Sequence, residues 1–216
     1  MTVTFTQKEE EKSVSGQYVL CAIGRSPYCE GAFADDMKPE MNRRSIKVNE
    51  RFETSIPGIY AIGDVSSKVQ LAHVAAAQGT ACVEMIAGAE PTVALNLVPG
   101  CIYSHPEIAS VGLSEAEAKD AGLTVKVGKC VMGGNARTII ADAGRCFMKV
   151  VADAQTGELV GAQLMCPSST DMISQLSQAI ANHMKPSDLL KAMRPHPTYE
   201  EALETALEDL CAKLEK

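Results

Sequence analysis

RCFMKVVADAQTGELVGAQLMC, Arg145 to Cys166, decides the reading of the chain's second half. RCFMKVVAD and ELVGAQLMC alternate or run apolar, and the short turn AQTG, carrying Gly157, joins them as neighbouring strands. Upstream, TVKVGKCV reads as a further strand. After Pro99 come two shorter ones, CIYS and IASVG, followed by Ser114 and Glu117 at the spacing of a capping box, which opens a helix closing near Gly122. Downstream, helical patterns run from about Thr170 to His183 and from Thr198 to Leu214, with Pro186 opening a short turn or helix between them. Strands covered by helices on one side predict an α+β sandwich with an antiparallel sheet.

The first half has a different texture. MTVTFTQKEEEKSVSGQYVLCAIGR starts abruptly, as strand, acidic turn and strand, like a segment cut from something longer. YVLCAIG, Tyr18 to Gly24, and IPGIYAIGD, Ile56 to Asp64, are continuous apolar runs of the kind found in strands buried on both faces, so they predict parallel α/β layers. From Leu71, LAHVAAAQGTACVEMIAG has apolar residues on a helical period, with Gly88 as its C′ stop. The two halves join near Pro91 to Gly100.

Composition narrows the function classes. The 216 residues are 46% hydrophobic and 22% charged, and no apolar run approaches the roughly 18 residues of a membrane span. A net charge of −7 with scattered Lys and Arg argues against nucleic acid. Eight cysteines stand at 21, 29, 82, 101, 130, 146, 166 and 211. No two have C-x-x-C or C-x-x-x-x-C spacing, so they read as small packing residues, and neither a zinc site nor another metal is expected. No leader is visible at the N-terminus, which predicts an intracellular, reducing compartment, cytoplasmic or the mitochondrial matrix.

Few residues carry chemistry. Pro195 and Pro197 clamp His196 in one backbone conformation. Thr198 and Glu201 then have capping-box spacing, so Glu201 reads either as a helix cap or as the carboxylate that orients His196 as an acid/base. Asp64 ends an apolar run, where open α/β sheets place ligands, though turn or N-cap duty fits equally. MGGNAR, Met132 to Arg137, reads first as a loop, with Arg137 a candidate phosphate contact. His73, His105 and His183 read as structural. There is no G-x-G-x-x-G.

Taken together, VLCAIGRSP, TSIPGIYAIGDV, LAH, PEIASVGLSEAEAK and HPTYEE have the order and approximate spacing of the flavin-dependent pyridine nucleotide-disulfide oxidoreductases, and the resemblance covers nearly the whole chain. It is closest to the branch that oxidises dihydrolipoamide. The resemblance implies that residues 1–24 end an NAD-binding domain, 25–90 are the C-terminal part of an FAD-binding domain, and 99–216 form an interface domain that makes a homodimer. It further implies that Asp64 holds the ribityl chain of FAD, that Ala72 and His73 lie along the flavin, and that Gly24 flanks the nicotinamide nucleotide, NAD. By the same resemblance His196 is the acid/base and Glu201 its partner, serving the redox disulfide of a second protomer, and a lipoamide-bearing acyltransferase of a 2-oxo acid dehydrogenase complex is the expected partner.

Departures accompany the resemblance. The family's G-x-G-x-x-G and redox C-x-x-x-x-C are absent, so the chain by itself is expected to be inactive. Arg194 stands where relatives usually carry histidine, and SSTDMI, Ser168 to Ile173, replaces A-x-E-L-I. A glutathione or mercuric reductase half, and a non-catalytic dimerising module, are the competing readings. A hydrolase built on His196 and a cysteine is a third.

Overall fold

The computed structural model describes all residues from Met1 to Lys216 and divides the chain into two compact units, Met1–Pro91 and Thr92–Lys216.

In the first unit, β1 (Thr2–Gln7) and β2 (Glu10–Ser15) form an antiparallel hairpin. Its turn residues Lys8 and Glu9 both have positive φ, the geometry of the tight turns that match strand twist. A second small hairpin pairs β3 (Met41–Asn42) with β4 (Ser45–Ile46). Helix α1 (Ala72–Ile86) follows, and Gly88 ends it at φ +83°, as the Leu71 to Gly88 pattern predicts.

The two buried parallel strands expected here do not form. Tyr18 to Gly24 is irregular, with Tyr18, Leu20 and Ile23 about nine-tenths exposed. Within Ile56–Asp64 only Tyr60 makes a bridge, to Glu53, before a 3-10 turn at Gly63–Val65. The reason is topological. A parallel strand takes its hydrogen bonds from strands distant in sequence, and an apolar run without such neighbours has no ladder to join.

The second unit is a five-stranded antiparallel sheet in the order β5-β6-β9-β8-β7. Its strands are β5 (Gly100–Ile102), β6 (Ile108–Gly112), β7 (Val125–Val131), β8 (Phe147–Asp153) and β9 (Leu159–Met165). The expected hairpin is present: β8 and β9 pair from Phe147 opposite Met165 to Ala152 opposite Leu159. Between β6 and β7 lies α2 (Glu115–Asp120), opened by the complete Ser114–Glu117 capping box. Between β7 and β8 lies α3 (Ala136–Ile140), and α4 (Ser169–Ala181), α5 (Pro186–Leu189) and α6 (Glu201–Leu214) finish the chain.

Residues directly opposite on neighbouring strands share a face. Ala109, Leu164 and Met148 form a buried row that packs with Ile173 and Leu176 of α4 and with Leu203 and Leu207 of α6. The adjacent row, Ile102, Ile108, Met165, Phe147 and Val131, crosses all five strands on the opposite face. It is apolar throughout, and its ends, Ile102 and Val131, are exposed.

β7 is an edge strand, and α6 covers it. A Cβ on Gly128 would lie 2.1 Å from the Ala206 carbonyl oxygen, so glycine lets the helix backbone come close. Asp209 accepts from the Lys129 amide at 2.9 Å, and the Lys213 ammonium donates to the Val127 carbonyl at 2.8 Å. These contacts occupy edge groups that would otherwise be open to pairing, and they seat α6, whose beginning lies at Glu201.

Candidate functional site

That beginning is where the Pro195–Thr198 turn delivers His196. Pro195 and Pro197 have no amide hydrogen, so only His196 and Thr198 can donate from this stretch of backbone. The Thr198 amide donates to Glu201 Oε2 at 2.8 Å, while Glu201 Oε1 lies 2.8 Å from His196 Nδ1. One carboxylate therefore bridges the turn's backbone and its imidazole.

The expected cap is only half formed. The Thr198 hydroxyl donates to the Pro195 carbonyl at 2.7 Å instead of capping the helix, and α6 starts at Glu201, two residues later than the spacing predicts. Glu201 thus makes both of the contacts its position allows, since the same side chain holds the Thr198 amide and the histidine ring. Those two hydrogen bonds, the Thr198 amide first and His196 second, hold its carboxyl below the usual glutamate range.

An ionised carboxylate only accepts, so its bond to Nδ1 selects the tautomer with hydrogen there and leaves the lone pair on Nε2. The His196 side chain is 70% exposed. It borders an open groove of about 410 Å³, lined also by Cys130, Val131, Asn135 and Thr205. An oriented imidazole with a free basic nitrogen at a groove can exchange a proton with a bound thiol or alcohol.

Sequence reading passed over Asn135. MGGNAR, expected to be a loop, contains a 3-10 turn at Met132–Gly134 and then α3, which Asn135 caps by accepting from the Thr138 amide at 3.0 Å. The Asn135 amide group donates to the Thr198 carbonyl at 2.9 Å. An N-cap asparagine just before a helical run was the available signal. Arg194 likewise has a structural task, donating to the carbonyls of Leu189, the last residue of α5, and of Ala192 just after it.

In the first unit, Asp64 sits on the 3-10 turn next to α1. The Gly63 amide donates to Gln78 Oε1 at 2.8 Å, and at φ +68° a Cβ on Gly63 would meet that of Ala75 at 2.8 Å. The turn is thereby seated on the helix. Ala72 and His73 form the first turn of α1, whose N-cap, Leu71, contributes no side-chain cap. The Asp64 carboxylate is 43% exposed and 3.9 Å from the Arg25 guanidinium. Gly24, at φ +91°, lies in an irregular exposed segment with open space around its Cα. His183 makes an exposed contact with Glu158 at 3.1 Å. All eight cysteines are free thiols, and no cluster of three or more His, Cys, Asp or Glu side chains is placed to hold a metal ion.

Comparison with known proteins gives consistent results. A family described as "Pyridine nucleotide-disulphide oxidoreductase, dimerisation domain" matches residues 98–207, and one described as "Pyridine nucleotide-disulphide oxidoreductase" matches residues 2–79. Dihydrolipoyl dehydrogenase 3 of Pseudomonas putida is 40% identical over 90% of this chain and 42% of its own length. Dihydrolipoyl dehydrogenase of Bacillus subtilis is 37% identical over 96% of this chain and 44% of its own. The chain thus spans well under half of the curated relatives it matches. Among solved structures, LpdA from Mycobacterium tuberculosis superposes with a TM-score of 0.84 at 24% identity, covering 91% of this chain and 43% of that one. The flavoprotein disulfide reductase RclA from Escherichia coli does so at 0.81 and 22%, covering 97% and 47%. At such identities these two likenesses bear on the fold.

Proposed function

The chain belongs to the pyridine nucleotide-disulphide oxidoreductase family, and on that premise we propose that it supplies the acid–base part of a flavoenzyme that oxidises dihydrolipoamide to lipoamide with NAD⁺. The observation that carries this reading is the His196–Glu201 pair, with Nδ1 held at 2.8 Å and the ring exposed at a groove. Nε2 of His196 takes the proton of one substrate thiol, and the resulting thiolate attacks a disulfide, forming a mixed disulfide as the original S–S bond breaks and its other sulfur leaves as a thiolate. Glu201 keeps the tautomer and balances the imidazolium charge that forms.

The disulfide is not among this chain's cysteines, all of them free. It belongs to a part of the enzyme this chain does not contain, presented by a second protomer. Alone, the chain binds and moves protons without turning over. A homodimer through the 99–216 interface domain suits the row from Ile102 to Val131, which offers apolar surface on the sheet face opposite α4 and α6.

The residues present fit one end of a flavin. Asp64 offers a half-exposed carboxylate for ribityl hydroxyls, next to the first turn of α1 with Ala72 and His73, whose N-cap adds no side-chain cap. Bound FAD supplies the electron path between sulfur and NAD. A nicotinamide nucleotide finds no comparable seat: Gly24 lies in open irregular chain, with no strand-to-helix turn to cradle a pyrophosphate. That seat requires the rest of the NAD-binding domain, of which residues 1–24 are the end, as 25–90 are of the FAD-binding domain. The lipoyl group is carried by an acyltransferase of a 2-oxo acid dehydrogenase complex, in the cytoplasm or in the mitochondrial matrix.

The test joins this chain to the N-terminal part of the Pseudomonas putida relative. H196Q in that chimaera should leave flavin content unchanged and slow flavin reduction by dihydrolipoamide about 100-fold or more. Unchanged reduction removes the assignment.

A further inference from the structure

The acid–base reading leaves open what holds the Pro195–Thr198 turn in place, and the following inference rests on that reading and deepens it. Glu201 fixes the amino side of Thr198 by accepting from its amide. The other side, the Thr198 carbonyl, is held by Asn135, 63 residues upstream, whose Nδ2 donates at 2.9 Å. We propose that Asn135 is a positioning residue for the His196–Glu201 pair, clamping the turn to α3 from across the groove.

The geometry separates the two ends of this side chain. Oδ1 accepts from both the amide and the hydroxyl of Thr138, each at 3.0 Å, and so caps α3. Thr138 is buried at 4% exposure, so that end is anchored in the packed unit. Nδ2 alone reaches the turn. Neither flanking proline can donate, and the Thr198 hydroxyl is spent on the Pro195 carbonyl, closing the turn upon itself. Glu201 ties the turn to α6, and the Asn135 contact ties it to α3, on a path that runs through Asn135, the Thr198 backbone and the Glu201 carboxylate to His196 Nδ1.

This division makes the proposal testable without turnover. Aspartate and serine at position 135 both cap helices well, yet the carboxylate cannot donate to the Thr198 carbonyl and the serine hydroxyl is too short to reach it. N135D adds a charge and N135S does not, so agreement between them isolates the lost clamp. The readout is the ring ¹⁵N spectrum of ¹⁵N-histidine-labelled full chain, with H196Q identifying the His196 signals. The parent chain should show His196 predominantly with hydrogen on Nδ1. Both variants should lose that bias, moving toward the mixture seen in E201Q, while their thermal midpoints stay within about 3 °C of the parent.

A retained Nδ1 bias in both variants overturns the clamp, as does a large loss of thermal stability in both, which would make Asn135 a plain structural cap. A parent chain lacking the bias would show that the His196–Glu201 pair does not form, so there is nothing to clamp. Failure of the catalytic reading is distinct: it appears as normal flavin reduction in the H196Q chimaera whatever the tautomer.

Discussion

Gly128→Ala tests whether the seating of α6 on β7 fixes the site. The added methyl would lie 2.1 Å from the Ala206 oxygen, 2.6 Å from Leu210 Cβ and 2.8 Å from the Leu210 nitrogen. Ordinary contact begins near 3.4 Å, and two of these three atoms are helix backbone, which no rotamer change can move. The helix must withdraw by roughly 1 Å, opening the packing around Ala206, Leu207 and Leu210, all fully buried. Overpacking of this kind costs about 1–3 kcal/mol or more. For a unit of this size that corresponds to a melting point lower by about 5–10 °C. Circular dichroism melts of G128A beside G133A provide the assay, since a Cβ on Gly133 meets nothing within 4 Å. A G128A midpoint within 2 °C of the parent, or an equal drop in G133A, would refute the reasoning. The withdrawal should also disturb the His196–Glu201 contact, visible in the same ring ¹⁵N spectrum.

Other expectations concern the core, the thiols and pH. Leu207→Ala removes a fully buried α6 side chain and should cost about 2–5 kcal/mol in urea unfolding, with α4 and α6 losing amide protection together. Thiol titration of the native chain should label exposed Cys21 at once and leave Cys166 untouched until unfolding, because burial, then the nearby Cys146 and Glu107, push its thiol up to about 12. Glu201 and Glu117 both have carboxyls held below their ordinary value of 4.5, Glu201 chiefly by the Thr198 amide and Glu117 chiefly by Ser114. Their contribution is present above that value and is lost as pH falls through the depressed folded-state values. Acid melts of E201Q and E117Q should therefore show less destabilisation on going from pH 6 to pH 3 than the parent chain.

What the sequence disclosed depended on how local the interactions are. The β8–β9 hairpin, the Ser114–Glu117 box and the Gly88 stop are made by residues close in sequence, and all three are present. Tyr18 to Gly24 reads as a buried strand for sound reasons of composition, but a parallel strand is completed only by distant chain, and here it lies exposed. At Thr198 the spacing pointed correctly to Glu201 and wrongly to the hydroxyl, which turns back to donate to the Pro195 carbonyl and accepts from no helix amide. Asn135 was overlooked because its partner is 63 positions away, a separation that no local pattern encodes. The His196–Glu201 contact was legible because the two residues lie five positions apart, within reach of a single turn.

The most direct test of the account is complementation between two defective chimaeras, one carrying H196Q and the other lacking the redox cysteines contributed by the relative's N-terminal part. Mixed dimers formed by co-refolding should recover lipoamide-dependent flavin reduction that neither parent shows, because one site then receives an intact imidazole from one protomer and an intact disulfide from the other. Mixed dimers that form and stay as inactive as both parents would contradict it.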